Sequence, residues 1–197
     1  FRSVYKLIDD NENDKEDCKE IILKPLNKCF GNGVMYLHKG DPNTRTIINT
    51  MTNDENSVVM VQQFIPEVKY GDKRVLTLGD TVLDECVIKL PTSDDFKFNT
   101  HNDNFVKKGI LSESEKENFT NVANALNERG IYMAGLDVVD GQIIEINVTS
   151  PCYFIKEINN AFCTNIEKRI CDYIISLAEK NDKELVGIDY KYRTEIL

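Results

Sequence analysis

The stretch Gly135-Leu-Asp-Val-Val-Asp-Gly-Gln-Ile-Ile-Glu-Ile-Asn-Val-Thr-Ser-Pro151 sets two apolar runs on either side of Asp140-Gly141. Alternating apolar residues around an Asp-Gly pair read as a β-hairpin. Asp137, Glu145 and Asn147 occupy strand positions where burial would favour Val or Ile. A strand that places carboxylates and an amide there must offset their desolvation, and a hard cation with oxygen ligands does so. Glu145 and Asn147 share a face because side chains alternate along a strand. A two-residue turn would set Asp137 opposite Ile144, on the wrong face. A three-residue loop, Val139-Asp140-Gly141 with Gly141 left-handed as a bulge, pairs Asp137 with Ile143 and gathers all three ligands. The sequence therefore predicts the three-residue loop. The competing reading is the solvated polar side of an ordinary hairpin.

Around this hairpin the elements follow without regular βαβ alternation. Ile21–Pro25 and Val34–Leu37 read as strands flanking Phe30-Gly-Asn-Gly33, and Asp41-Pro42 as the start of a helix to about Met51. A strand at Ser57–Val61 runs into Gln62-Gln-Phe-Ile-Pro66, and strands Lys73–Leu78 and Thr81–Leu90 meet at Gly79-Asp80. Residues 91–109 are polar and irregular, a length that favours function over idleness. Ser112-Glu-Ser-Glu115 is a capping box for a helix burying Phe119, Val122, Ala123 and Leu126 and ended by Gly130. Tyr153–Phe162 reads as a helix. Thr164 caps another, whose stripe Ile166, Ile170, Ile174, Leu177 reads as core packing. The order implies an α+β fold, a mostly antiparallel sheet covered by helices with a small hairpin lobe, divided as 1–60 and 61–197. The absence of G-x-G-x-x-G argues against a doubly wound dinucleotide fold.

Composition narrows the function. The 197 residues carry a formal charge of −9, so a basic nucleic-acid face is not expected. No apolar run approaches the ~20 residues that span a bilayer, so no membrane partner is expected either. Six cysteines show neither C-x-x-C nor zinc spacing and read as free thiols, and two histidines leave little for a zinc site. With Phe1 first and no signal-like segment, the chain reads as a cytoplasmic fragment lacking its N-terminal portion.

Five segments together resemble the ATP-grasp half of prokaryotic-type glutathione synthetase. They are Ile22-Leu-Lys-Pro-Leu26, Lys39-Gly-Asp-Pro-Asn43, Gln62-Gln-Phe-Ile-Pro66, Gly71-Asp-Lys-Arg-Val75 and Ala134–Pro151. The resemblance implies an ATP-grasp fold without the family's N-terminal domain, joining γ-glutamylcysteine to glycine with ATP through an acyl phosphate. It implies Lys24 at the phosphates, Gln62, Gln63, Phe64 and Ile65 around adenine, and Asp72 toward the ribose. Asp137, Glu145 and Asn147 would hold two Mg²⁺ ions, or Mn²⁺, and Arg74 would steady the transferring phosphoryl group. Lys89, Lys97, Asn99 and Ser150 would meet the acceptor substrate. Two stretches depart from the family. Asn27-Lys-Cys-Phe-Gly-Asn-Gly33 has glycines only at its end, and Leu90–Val106 has neither glycine nor arginine where the family lid has both. Another ATP-dependent carboxylate–amine ligase, or a nucleotide-binding pseudoenzyme, stays open on those grounds, as does self-association into a homo-oligomer.

Overall fold

The computed structural model describes residues 20–29, 31–91 and 106–185. Among them the chain divides after Tyr70 into two units.

In the first unit, β1 (Glu20–Pro25) lies between β2 (Met35–His38) and β3 (Val59–Gln63), antiparallel to both. Helix α1 (Thr44–Thr52) covers one face. Alternation sends Ile21, Leu23, Leu37 and Val61 to that face, where they pack with Ile48, Ile47 and Met51. The same alternation leaves Ile22, Lys24, Tyr36, Met60 and Gln62 on the other. β3 completes this sheet, and the first unit takes in the described residues up to Tyr70 together with Pro91. A strand's partner is a long-range choice that local pattern does not fix. The helix also starts later than expected. Asp41 accepts from the Asn43 main chain in the turn before it, and Asn43 is the N-cap.

The second unit holds β4 (Asp72–Leu78), β5 (Thr81–Val82), β6 (Val87–Lys89), β7 (Val106–Lys108), helix α2 (Glu113–Asn127), β8 (Met133–Val139), β9 (Gln142–Asn147), α3 (Ile155–Phe162) and α4 (Ile166–Leu185). Its sheet runs β7-β6-β4-β8-β9, with β5 paired to β4, and each pairing is antiparallel. The single strand expected over 81–90 is thus two, β5 and β6. Val75, Leu136 and Val138 point to one face and bury against Phe119 and Leu111, with Cys86 beneath. The expected capping box is formed: Glu115 N–H donates to Ser112 Oγ, and Ser112 N–H to Glu115 Oε2. Helix α3 packs against β6 and β7.

Two expectations are corrected here. The hairpin turn has two residues, Asp140 and Gly141, both at positive φ (48° and 74°), as a primed turn requires. The extra residue is Ile144, one strand further on. Asp137 lies opposite Glu145, and Val138 opposite Ile143, with the register shift between. The three ligands therefore do share a face, through a bulge inside the strand instead of a bulge in the loop. In α4, Ile166 is fully buried but Ile174 is 57% exposed, so the stripe is core only at its N-terminal end. Among the described residues no helix is long and apolar enough to cross a membrane, and the five described cysteines are free.

Candidate active site

Strand β4 sends alternate residues to opposite faces of the second sheet, Asp72 and Arg74 to one and Lys73 to the other. Asp72 is opposite Lys89 on β6, and Arg74 is opposite Asp137 on β8, which is opposite Glu145 on β9. Residues paired across a ladder share a face, so five ionisable groups form a row across four strands.

Their contacts are close. Lys89 Nζ lies 2.8 Å from Asp137 Oδ1 and 2.9 Å from Asp72 Oδ2. Arg74 Nη2 donates to Asp137 Oδ2 at 3.3 Å, and Arg74 Nε lies 3.1 Å from Oδ1 as an ion pair. Asn147 reaches Asp137 Oδ2 from β9 at 3.3 Å. Asp137, Arg74 and Lys89 are buried, whereas Glu145 is exposed and Asn147 half-buried, so only the first ligand carries the full desolvation argument. Three buried atoms of this cluster have no hydrogen-bond partner among the described residues, Arg74 Nε and Nη1 and Asp72 Oδ1, although Nε stands in the ion pair with Asp137. Such atoms are uncommon in a folded interior. Burial pushes the Asp72 carboxyl up to about 6; Lys89 opposes that push and Asp137 adds to it.

Two glycines and one aromatic shape this face. A Cβ on Gly135 would fall 2.5 Å from Arg74 Nη1, so the guanidinium lies across β8 only because residue 135 is glycine. At Gly71, φ is +103° and a Cβ would sit 2.5 Å from the Lys89 carbonyl oxygen, which explains the glycine opening Gly-Asp-Lys-Arg. Phe154 places its ring 5.7 Å from the Arg74 guanidinium and 5.6 Å from Lys89 Nζ. It takes a left-handed conformation (φ 74°) as the N-cap of α3, so that helix begins at Ile155 and not at Tyr153. Sequence reading missed Phe154 and Gly135; the small residue opposite Asn147 was the available signal for the second.

Asp137, Glu145 and Asn147 offer two carboxylates and an amide oxygen, the hard-oxygen set that suits Mg²⁺ or Mn²⁺. Among the described residues no group of three His, Cys, Asp or Glu side chains could hold a metal. Asn147 presents Nδ2 to Asp137 here, and ligation requires the amide turned over. The donor set fits the ion. Ser150 lies in an exposed turn after β9, and Lys97 and Asn99 lie outside the described residues.

In the first unit, Lys24 and Gln62 share the sheet face opposite α1. Phe64 N–H donates to the Glu20 carbonyl at 3.0 Å, so that group is spent within the sheet. Main-chain groups alternate along an antiparallel ladder, and on edge strand β3 this leaves those of Gln63 pointing away from β1. On the same face the Tyr36 hydroxyl donates to Glu20, which pushes the phenol up to about 12, and Tyr36 meets Phe64 edge-on at 4.9 Å. In the loop after β1, Asn32 N–H donates to the Cys29 carbonyl and Val34 N–H to that of Gly31, so two of its amides are spent on its own turns.

Comparison with known proteins gives a consistent picture. The family model "Prokaryotic glutathione synthetase, ATP-grasp domain" matches residues 8–163. The chain is 34% identical over 160 residues to the glutathione synthetase of Vibrio cholerae, covering 81% of this chain and 50% of that one. It is 35% identical over 156 residues to that of Pseudomonas aeruginosa, covering 79% and 49%. The chain thus spans about half the length of the curated relatives it matches. Among solved structures it is similar to the ATP-grasp ligase PsnB (TM-score 0.55, 17% identity, 89% of this chain and 50% of that one). D-cycloserine synthetase DcsG is similar too (TM-score 0.52, 16% identity, 67% and 48%). At such identities the likeness concerns the fold, which is ATP-grasp. The chain belongs to the prokaryotic glutathione synthetase family, in its ATP-grasp domain.

Proposed function

We propose that this chain is the ATP-grasp portion of a cytoplasmic glutathione synthase, an ATP-dependent ligase joining γ-glutamylcysteine to glycine. The observation that carries the reading is the row Glu145–Asp137–Arg74 with Asn147 beside it, in a chain of this family. Residues 20–70 serve as the small lobe and the rest as the large one. Lys24 neutralises nucleotide phosphate, and Gln63 offers main-chain groups to the adenine edge, with Gln62, Phe64 and Ile65 lining the pocket and Asp72 toward the ribose. Asp137, Glu145 and Asn147 hold Mg²⁺, two ions in the full reading, which supplies charge neutralisation at the phosphates.

The side chains of this face do the rest. Arg74, anchored by Asp137, directs its unpaired Nη1 at the oxygens of the transferring phosphoryl group, where charge changes most. The acceptor carboxylate takes the phosphoryl group and becomes an acyl phosphate, which the glycine amine attacks, releasing phosphate. No nucleophilic side chain is required. Ser150, Lys97 and Asn99 remain the acceptor contacts of the reading. Lys89 faces carboxylates instead of open solvent in this structure.

A second reading, ligation of another carboxylate and amine, is favoured by the stretch Leu90–Val106, which has no glycine or arginine. The test is ADP release by the intact protein with γ-glutamylcysteine and glycine, beside a panel of other acceptors and amines. The reading expects ADP only when both named substrates are present. Turnover with a different pair would replace it with the second.

A further inference from the structure

Lys89 is the most deeply committed cation of the site. It is 5% exposed, stands between two carboxylates at 2.8 and 2.9 Å, and lies under the Phe154 ring. Its main chain is held by the close approach of Gly71, where even a Cβ would meet the Lys89 carbonyl oxygen at 2.5 Å. Its main chain is paired to Asp72 across the ladder, so any rearrangement falls to its side chain. Among the described residues, Lys89 and Arg74 face the two carboxylates Asp72 and Asp137. Asp137 is also the buried member of the proposed metal-ligand set. Its Oδ1 already meets the Lys89 ammonium at 2.8 Å and Arg74 Nε at 3.1 Å, so a divalent ion would add a third cation in a medium of low dielectric, and the ammonium on its flexible stem is the one able to give way.

We propose that Lys89 is a built-in counter-cation that a divalent ion displaces from Asp137, freeing its ammonium for an anionic ligand beside it. The inference rests on the metal reading above and assigns Lys89 a positioning role. In the metal-free protein Lys89 keeps Asp137 and Asp72 from repelling each other. When the ion arrives, the ammonium leaves Asp137 and its freed N–H donor turns to the polyphosphate. Lysine suits this exchange better than arginine, since its charge is compact, its stem flexible and its donors rotatable.

The two roles have opposite signs in one variant. In the intact protein, Lys89→Met is expected to bind Mn²⁺ alone about tenfold more tightly, since the Lys89 ammonium no longer competes for Asp137 Oδ1. It is expected to bind Mn²⁺ with a non-hydrolysable ATP analogue more weakly than wild type does. Electron paramagnetic resonance of free Mn²⁺ reads both. Equal or weaker Mn²⁺ binding by the variant would overturn the exchange. A second measurement on wild type stands if Lys89→Met misfolds: the ¹⁵Nζ resonance of Lys89 should move as Mg²⁺ saturates the site. A resonance unmoved while the Asp137 carboxyl signal shifts would overturn the exchange and leave the metal reading intact. Failure of wild type to bind Mn²⁺ even with the analogue would overturn both.

Discussion

Asp72, Lys73 and Arg74 are consecutive, yet the two faces they serve have been built to different standards. Toward α2, Lys73 donates to both oxygens of Glu115 at 2.7 Å, and Glu115 also takes the Ser112 N–H, closing a capping box over an apolar core. On that face the charged pair is satisfied by the protein alone. On the other, Asp72, Arg74, Lys89 and Asp137 crowd together, and Arg74 Nε, Arg74 Nη1 and Asp72 Oδ1 have no hydrogen-bond partner among the described residues. The carboxyl groups respond in opposite directions. Burial pushes Glu115 up, but the hydrogen bonds from Lys73 and Ser112, with the Lys73 charge, outweigh it and hold the carboxyl below the usual range. Burial dominates at Asp72 and carries it up to about 6. A saturated pair stabilises the fold, whereas the cluster on the other face keeps hydrogen-bonding capacity that the proposed function assigns to its ligands.

Breaking the core face should cost the most stability. Phe119→Ala removes a fully buried ring and is expected to lose about 3–5 kcal/mol in denaturant unfolding. The site face should answer in activity instead: Arg74→Met is expected to lower ligase turnover about 10²–10³-fold. Lys73→Met, one residue away on the opposite face, should leave turnover nearly unchanged. If both variants lose activity alike, the division of labour between faces is wrong.

The pH dependence of stability sharpens the same contrast. Glu115 titrates low in the folded protein, so its contribution is present above the ordinary carboxylate value and is lost as pH falls through its folded value. Glu115→Gln should therefore be destabilised by about 1–3 kcal/mol at neutral pH, with the gap closing in acid. Asp72 titrates high, so its favourable contribution is present at acid pH and is lost as pH rises toward about 6. Asp72→Asn should remove that decline, read by urea unfolding between pH 4 and 7. Gly135→Ala is the mildest change. The new methyl displaces the Arg74 guanidinium, which should reduce turnover about tenfold with little loss of stability.

Much of this was legible in the chain. Alternation around Asp140-Gly141 gave the hairpin, the capping box gave the start of α2, and the three oxygen-bearing residues of the apolar strands share one face as expected. The bulge position was not legible, because a period of two shows that a residue is extra and not where it is extra. Nor was the partnership of Lys89, which depends on the β4–β6 register after the strand expected over 81–90 divides into two. Phe154 escaped for a similar reason: local propensity carried the helix back to Tyr153, while Phe154 takes a left-handed conformation with its ring near Arg74 and Lys89. The α4 stripe was overread at Ile174, since periodicity marks a face without showing what covers it.

The most direct test of the central claim is calorimetric titration of the intact protein with a non-hydrolysable ATP analogue and Mg²⁺, beside Glu145→Ala. Glu145 is exposed, so the substitution removes a ligand without opening the core. The account expects Mg²⁺-dependent binding in the wild type that is lost, or weakened at least tenfold, in the variant. Binding that ignores both Mg²⁺ and Glu145 would contradict it.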